Sequence, residues 1–298
     1  GPVFVSELLK HGYDVQAFRS APLFSPEFDR TVFAELNAVR MRSDGHDAAE
    51  RDEDLTRDFL SFLEAHAERT PFFALLFYDS PHKMTFPPDY ALRFRPSAEE
   101  INYLHLDNET DPTPLLNRYR NSVHYVDALI GRVMSALEQQ GLLENSVIVV
   151  TGDHGQEFND SGRNYWGHGS NFTRYQTGVS LILYSPTLPP GVHRHRTTHF
   201  DIVPTLLRDH FGCAEPFKAY SVGRSLFEAG GREALVLSEY MDFAIVTESK
   251  IAVVREQGMQ VFDASHAVIP DRRLEPELIA QALEQQSRFY RRVTLTSK

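Results

Sequence analysis

Apolar residues recur along the chain with two different periods, and those periods predict its elements. Leu55, Phe59, Phe62 and Leu63 fall three and four residues apart and predict a helix from Asp54 to Arg69. Val126, Leu129, Ile130, Val133 and Leu137 repeat the pattern in the clearest helix, Leu115 to Gln140, which Gly141 stops. Between and after these helices the texture changes to unbroken apolar runs, Phe72 to Tyr78 and Val147 to Thr151. Such runs fit parallel strands covered on both faces. Leu8-Leu9-Lys10-His11-Gly12-Tyr13 reads as a helix end leading into a short strand, Asp14 to Phe18. Gly178 to Tyr184 reads as a further strand, followed by a helix from Asp201 to His210 with Ile202, Leu206 and Leu207 inward. Helix followed by buried strand, repeated, predicts an α/β fold with a mostly parallel sheet flanked by helices.

Past Gly230-Gly231 short strands at 235–237, 244–246, 251–254 and 259–262 are separated by turns and predict a small antiparallel subdomain. A last helix runs from Pro276 to Arg292. The expected organisation is therefore an α/β domain over 1–230, and antiparallel strands plus a helix over 231–298. Two stretches lack a period. Arg42 to Asp54 is polar and predicts a mobile surface loop, and Phe86 to Pro114, rich in proline and acid, predicts a long loop over one sheet edge.

Composition narrows the classes. At 298 residues, with 42% hydrophobic and 24% charged residues, the chain can bury a sizeable core. A formal net charge of -11 argues against general affinity for nucleic acid, which needs a basic face. Cys213 is the only cysteine, so no intrachain disulfide forms. No run approaches the ~20 apolar residues of a membrane-spanning helix, and the first residues lack a signal-peptide pattern. Gly1-Pro2 leads straight into a helix-like segment, which reads as a piece of a longer polypeptide carrying a protease-tag scar.

In open α/β sheets, ligands bind beyond the carboxyl ends of the strands. Two such places carry chemistry here: Asp153-His154-Gly155 after one strand, and His82 after another. Asp153 and His154 offer an oxygen and an imidazole nitrogen, a donor pair suited to Zn or Mn, and to Ca or Mg if the imidazole stays outside the ligand sphere. Alone, Asp-His-Gly is equally compatible with a plain turn. The continuation to Trp166-Gly167-His168-Gly169, a second histidine between two glycines with room to meet a substrate anion, favours a site.

Thr151-Gly152-Asp153-His154-Gly155-Gln156-Glu157-Phe158, together with Trp166-Gly167-His168-Gly169, resembles the C-terminal half of the sulfatase and phosphoethanolamine/phosphoglycerol transferase families of the alkaline-phosphatase/sulfatase superfamily. Residues 8–13, 119–137 and His199-Phe200-Asp201-Ile202-Val203-Pro204-Thr205 extend the likeness over about residues 3 to 265. The resemblance implies a divalent metal (Mn, Zn, Ca or Mg) on Asp153 and His154. It implies contact of His168 with the transferred group, and of His82 with substrate or leaving group. Relatives place acidic metal ligands and a Thr, Ser or formylglycine-forming Cys nucleophile earlier, upstream of this chain, so the chain alone is expected to be inactive; Cys213 lies in the wrong segment. Residues 171–179 and 259–264 resemble the PbgA/YejM-like inner-membrane proteins, which join a membrane domain to a periplasmic sulfatase-like domain. That implies a periplasmic domain of a Gram-negative inner-membrane protein, tethered through a missing N-terminal membrane domain. Its substrate would bear phosphate or sulfate, with lipid or lipopolysaccharide as a further expectation. The competing expectation is a non-catalytic domain that senses lipopolysaccharide or acidic lipid.

Weaker signals are read conservatively. His193, His195 and His199 are taken as solvated surface, and Lys83 as a solvated charge. Asn108-Glu109-Thr110 and Asn171-Phe172-Thr173 match the glycosylation pattern. Arg118, Arg120 and Arg132 read as the charged face of an amphipathic helix, and Arg291-Arg292 as a reply to a helix dipole.

Overall fold

The computed structural model of the chain describes residues 2–22, 28, 30–36, 43–66, 70–228, 230–239, 241–270 and 273–289. In order these form α1 (Val3–Lys10), β1 (Asp14–Arg19), α2 (Ala48–Ala65), β2 (Phe72–Phe77), the single turn α3 (Ser80–Lys83), and α4 (Thr113–Gln139). Next come β3 (Ile148–Thr151), β4 (Glu157–Phe158), β5 (Trp166–Gly167), α5 (Arg174–Thr177), β6 (Leu181–Tyr184) and α6 (Ile202–Phe211). The antiparallel part comprises β7 (Leu235–Ser238), β8 (Phe243–Val246), β9 (Lys250–Arg255), β10 (Gly258–Asp263) and α7 (Pro276–Ser287). Ladder bonds pair β1 with β2, β3 with β6 and β4 with β5, and order the last sheet β10-β9-β8-β7. No helix among the described residues is long and apolar enough to cross a membrane.

The chain divides into two compact units, one of residues 1–149 and 182–189, the other of 150–181 and 190–298. In the first, β1 and β2 run parallel, with Asp14 opposite Phe72 and Arg19 opposite Phe77. Side chains alternate across a strand, and here both faces are apolar. Phe18, Phe72 and Leu76 join Leu55, Phe59, Phe62, Val133 and Leu137 on the face covered by α2 and α4. Ala17, Leu75 and Phe77 join Val5 of α1 and Phe33 on the other. This double burial explains the unbroken apolar run of β2.

Two sequence expectations are corrected in this unit. The stretch read as a mobile loop from Arg42 to Asp54 contains the first turns of α2, which begins at Ala48 rather than Asp54 and ends at Ala65; residues 67–69 lie outside the described residues. Asp47 caps it by accepting from the Glu50 amide at 2.9 Å, and Ala48, Ala49 and Asp52 are buried. The stretch Phe86 to Pro114 packs against α4 and includes the first residues of that helix, which begins at Thr113 and not Leu115. Asn121 accepts from the amides of Arg93 and Phe94 and donates to Phe94 O, and Asn117 donates to Pro96 O. Arg118 donates to the carbonyls of Ala98 and Glu99, and Arg132 pairs with Glu53, so these arginines serve packing and not an anion patch.

In the second unit the antiparallel sheet is also apolar on both faces. Ile245, Ala252 and Val261 meet Ala282 and Ile279 of α7. Ala244, Ile251, Val253 and Phe262 surround Phe172, which follows the second glycine-flanked histidine. Helix α7 ends at Ser287, and Arg291 and Arg292 lie outside the described residues. The turn after β10 places His266 at φ 63°, buried, with its ring stacked 4.1 Å from Phe262 and edge-on to Tyr165.

Burial pushes the His266 imidazole below its ordinary pKa; Arg163 and Arg255 act in the same direction, Glu157 and Asp263 against it. A histidine with a depressed native pKa contributes stability that is complete above the unfolded-state value, about 6.5, and is lost as pH falls below it. His266→Asn, which tolerates the left-handed backbone, is therefore expected to flatten the loss of stability between pH 7.5 and 5.5. Denaturant titrations followed by Trp166 fluorescence at both pH values check this, since Trp166 is the chain's only tryptophan and lies in the same unit.

Candidate functional site

The loop leaving β3 is clamped at both ends. On one side His199 Nε2 donates to Gly152 O at 2.9 Å. On the other, the Gly155 amide donates to Gln176 O at 2.9 Å. A Cβ on Gly155 would sit 2.3 Å from Tyr175 O and 2.9 Å from Gly178 O. Close backbone approach thus demands glycine there, not the positive φ of a turn. Asp153 and His154 project from the clamped loop, Asp153 exposed and His154 half-buried.

His154 Nδ1 donates to Gly155 O at 2.9 Å, which fixes the tautomer and leaves Nε2 as the ring's other nitrogen, 3.7 Å from Asp153 Oδ1. A backbone carbonyl on one imidazole nitrogen is the usual partner of a metal-ligating histidine. The same Asp153 oxygen accepts from the His154 amide at 3.0 Å. Two donors of the right chemistry therefore face one another. They fit as one half of a divalent-cation site: among the described residues no group of three or more His, Cys, Asp and Glu is arranged to hold a metal.

His168 joins this pair. Its ring stacks on His154 with centroids 3.9 Å apart and planes at 29°, and its Nδ1 lies 2.7 Å from Gln156 Oε1. Gly167 at φ 113° and Gly169 at φ 70° let the chain carry the ring into that stack, a conformation that L side chains resist. Glu157, next in sequence to Gln156, is wholly buried on β4. Its carboxylate accepts from Asn171 Nδ2 at 2.9 Å, Gln176 Nε2 at 2.8 Å, and both the amide and hydroxyl of Ser161. Asn171 is buried by this bond, so the Asn171-Phe172-Thr173 triplet offers no glycosylation site in the folded chain.

His82 is carried by the other unit, exposed on α3. Its Nδ1 is 3.5 Å from Asp79 Oδ1, and the other Asp79 oxygen accepts from Arg51 Nη2 at 3.1 Å. Asp52 sets this turn: wholly buried on α2, it accepts from the Asp79 amide at 2.9 Å and the Ser80 amide at 2.8 Å. Burial pushes its carboxyl above the ordinary range, and the side chains of Ser80 and Ser20, together with those two amides, pull it partly back. Lys83 beside it is exposed.

Sequence reading missed Gln156, Glu157, Asp52, Asp79, Arg51 and His199. His199 is exposed, as its surroundings in sequence predict, and it also holds the residue before Asp153. It rides on a 3₁₀ turn fixed by buried Asp201, which accepts from the amides of Thr198 and Arg224 and pairs with Arg232. His195 likewise bonds Leu226 O at 2.8 Å.

The sequence model of the family described as Sulfatase matches residues 6–212, more than half of the chain. The inner membrane protein YejM of Salmonella typhimurium is 26% identical over 185 residues, 61% of this chain and 30% of YejM. The chain thus spans under a third of that relative's length. Among solved structures, a protein of the alkaline phosphatase superfamily from Vibrio parahaemolyticus aligns over 95% of this chain and 67% of its own, with a TM-score of 0.62 and 17% identity. The phosphonate monoester hydrolase of Agrobacterium radiobacter aligns over 94% and 77%, with a TM-score of 0.63 and 16% identity. At such identities these two establish the fold, an alkaline-phosphatase-like mixture of helices and sheet with an antiparallel sheet near the C-terminus. The family match, carried by the same segment that holds Asp153, His154 and His168, leads to one conclusion: this chain is a sulfatase-like domain, belongs to the sulfatase family, and is related to the YejM inner-membrane proteins.

Proposed function

We propose that the chain is the ester-processing part of a larger, membrane-tethered periplasmic protein that hydrolyses or transfers a phosphate or sulfate ester. The observation that carries this reading is the convergence of Asp153, His154 and His168 on the loop after β3. Asp153 and His154 would hold a divalent cation, which when bound supplies Lewis acidity toward an ester oxygen. The chain's own groups do the rest. The carbonyl of Gly155 keeps the His154 proton on Nδ1, so Nε2 remains a donor of electrons. His168, stacked on His154, meets the transferred group. His82, a substrate-contacting histidine by the family resemblance, has its imidazole oriented by Asp79 within the other unit.

The test is turnover of aryl phosphate and aryl sulfate by the complete domain that contains this chain, with and without added Mn, Zn, Mg and Ca. Metal-dependent release of phenolate from one ester, lost in His168→Ala, is the expected result. The relation to YejM, an inner membrane protein by name, favours a second reading: a non-catalytic domain that recognises lipopolysaccharide or acidic lipid. No turnover of either ester with any of the metals, together with saturable binding of lipopolysaccharide micelles, would replace the first reading with the second.

A further inference from the structure

Gln156 lies inside the motif but carries no role in the chemistry above. It is half-buried, and its amide oxygen sits 2.7 Å from His168 Nδ1. An amide oxygen only accepts, so the imidazole nitrogen facing it must carry a proton. The second coordinate of the ring is set independently by the stack on His154, 3.9 Å away at 29°. His154 in turn is fixed by its own bond to Gly155 O. Both neighbours of His168 are glycines, so no flanking side chain props the ring. The ring's plane and proton placement therefore come from side-chain partners.

We propose that Gln156 is a positioning residue that holds His168 as the Nδ1–H tautomer, leaving Nε2 as the ring's hydrogen-bond acceptor. This rests on the reading of His168 as part of the ester site, and it sharpens it. With the proton on Nδ1, Nε2 is the nitrogen that accepts, from a donor such as a water or a substrate hydroxyl. A carboxylate at position 156 would accept the same proton while adding a charge; the neutral amide fixes the tautomer without one.

The tautomer is read by long-range ¹H–¹⁵N correlation on histidine-labelled full chain, with His168→Gln supplying the assignment. Wild-type His168 is expected to be protonated at Nδ1. Gln156→Met, similar in length but without an acceptor, is expected to shift His168 toward the Nε2–H form, and Gln156→Glu to restore Nδ1–H. An Nε2–H signal in the wild type, the result of a reversed Gln156 amide, overturns the proposal, as does a tautomer unchanged in Gln156→Met. If Gln156→Met loses the native Trp166 fluorescence, the wild-type spectrum decides alone. None of these spectra requires turnover, so a domain inactive on aryl esters would end the catalytic reading and leave the tautomer result standing.

Discussion

Asp153→Ala is expected to weaken divalent-cation binding by the complete domain by more than the roughly 10–100-fold that follows loss of an outer-shell partner, because on the proposed reading a direct ligand is removed. The fold should survive. Asp153 is exposed, its side chain meets only the amide and ring of His154 in the contacts described, and exposed substitutions of this kind usually shift stability by about 0.5 kcal/mol or less. Metal content after dialysis, measured by elemental analysis beside a circular-dichroism spectrum, separates the two effects. Equal metal content in wild type and variant would remove Asp153 from the ligand set, and with it the half-site.

The largest loss of stability is expected from Glu157→Ala. The carboxylate is wholly buried and takes hydrogen bonds from Asn171, Gln176 and Ser161. Truncation leaves the buried amides of Asn171 and Gln176 without their acceptor, at about 1–3 kcal/mol each, so a total of roughly 2–6 kcal/mol is expected. Glu157→Gln keeps the shape but turns an amide NH₂ toward other NH₂ groups, and should fall between wild type and alanine. Because the chain has two compact units, a global melting curve would blur the effect. Trp166, opposite Phe158 in the hairpin that Glu157 anchors, reports the local transition. An Ala variant with an unchanged denaturation midpoint by Trp166 fluorescence would show that the buried carboxylate contributes nothing net.

How much was legible in the sequence follows from the range of the interactions involved. Helix α4 and strands β2 and β3 announce themselves through periodicity, because the burial that forms them is repeated within a few residues. Asp153, His154 and His168 were visible because they sit in one short stretch with diagnostic glycines. Glu157 lies in the same stretch, yet its partners Asn171 and Gln176 come from further along, and nothing local marks a glutamate as wholly buried. Asp52 was hidden in the same way: it reads as one more acid on a charged helix, while its partners, the amides of Asp79 and Ser80, belong to a different element. His199 was set aside because alternating histidines near prolines look solvated, and its partner, Gly152 O, is distant in sequence. One miss had a signal. Asp47 followed three residues later by Glu50 is the acid-x-x-Glu pattern of a helix start, and the charged text around it obscured the cap.

Phe172 gives the antiparallel sheet a role beyond closing the second unit. The ring is seated among Ala244, Ile251, Val253 and Phe262, all beyond the segment matched by the family model, which ends at 212. The chain four residues after His168 is thus anchored by residues outside the matched segment, so a substitution at Ala244 or Val253 that unseats Phe172 would disturb the neighbourhood of the site while leaving every residue of the motif in place.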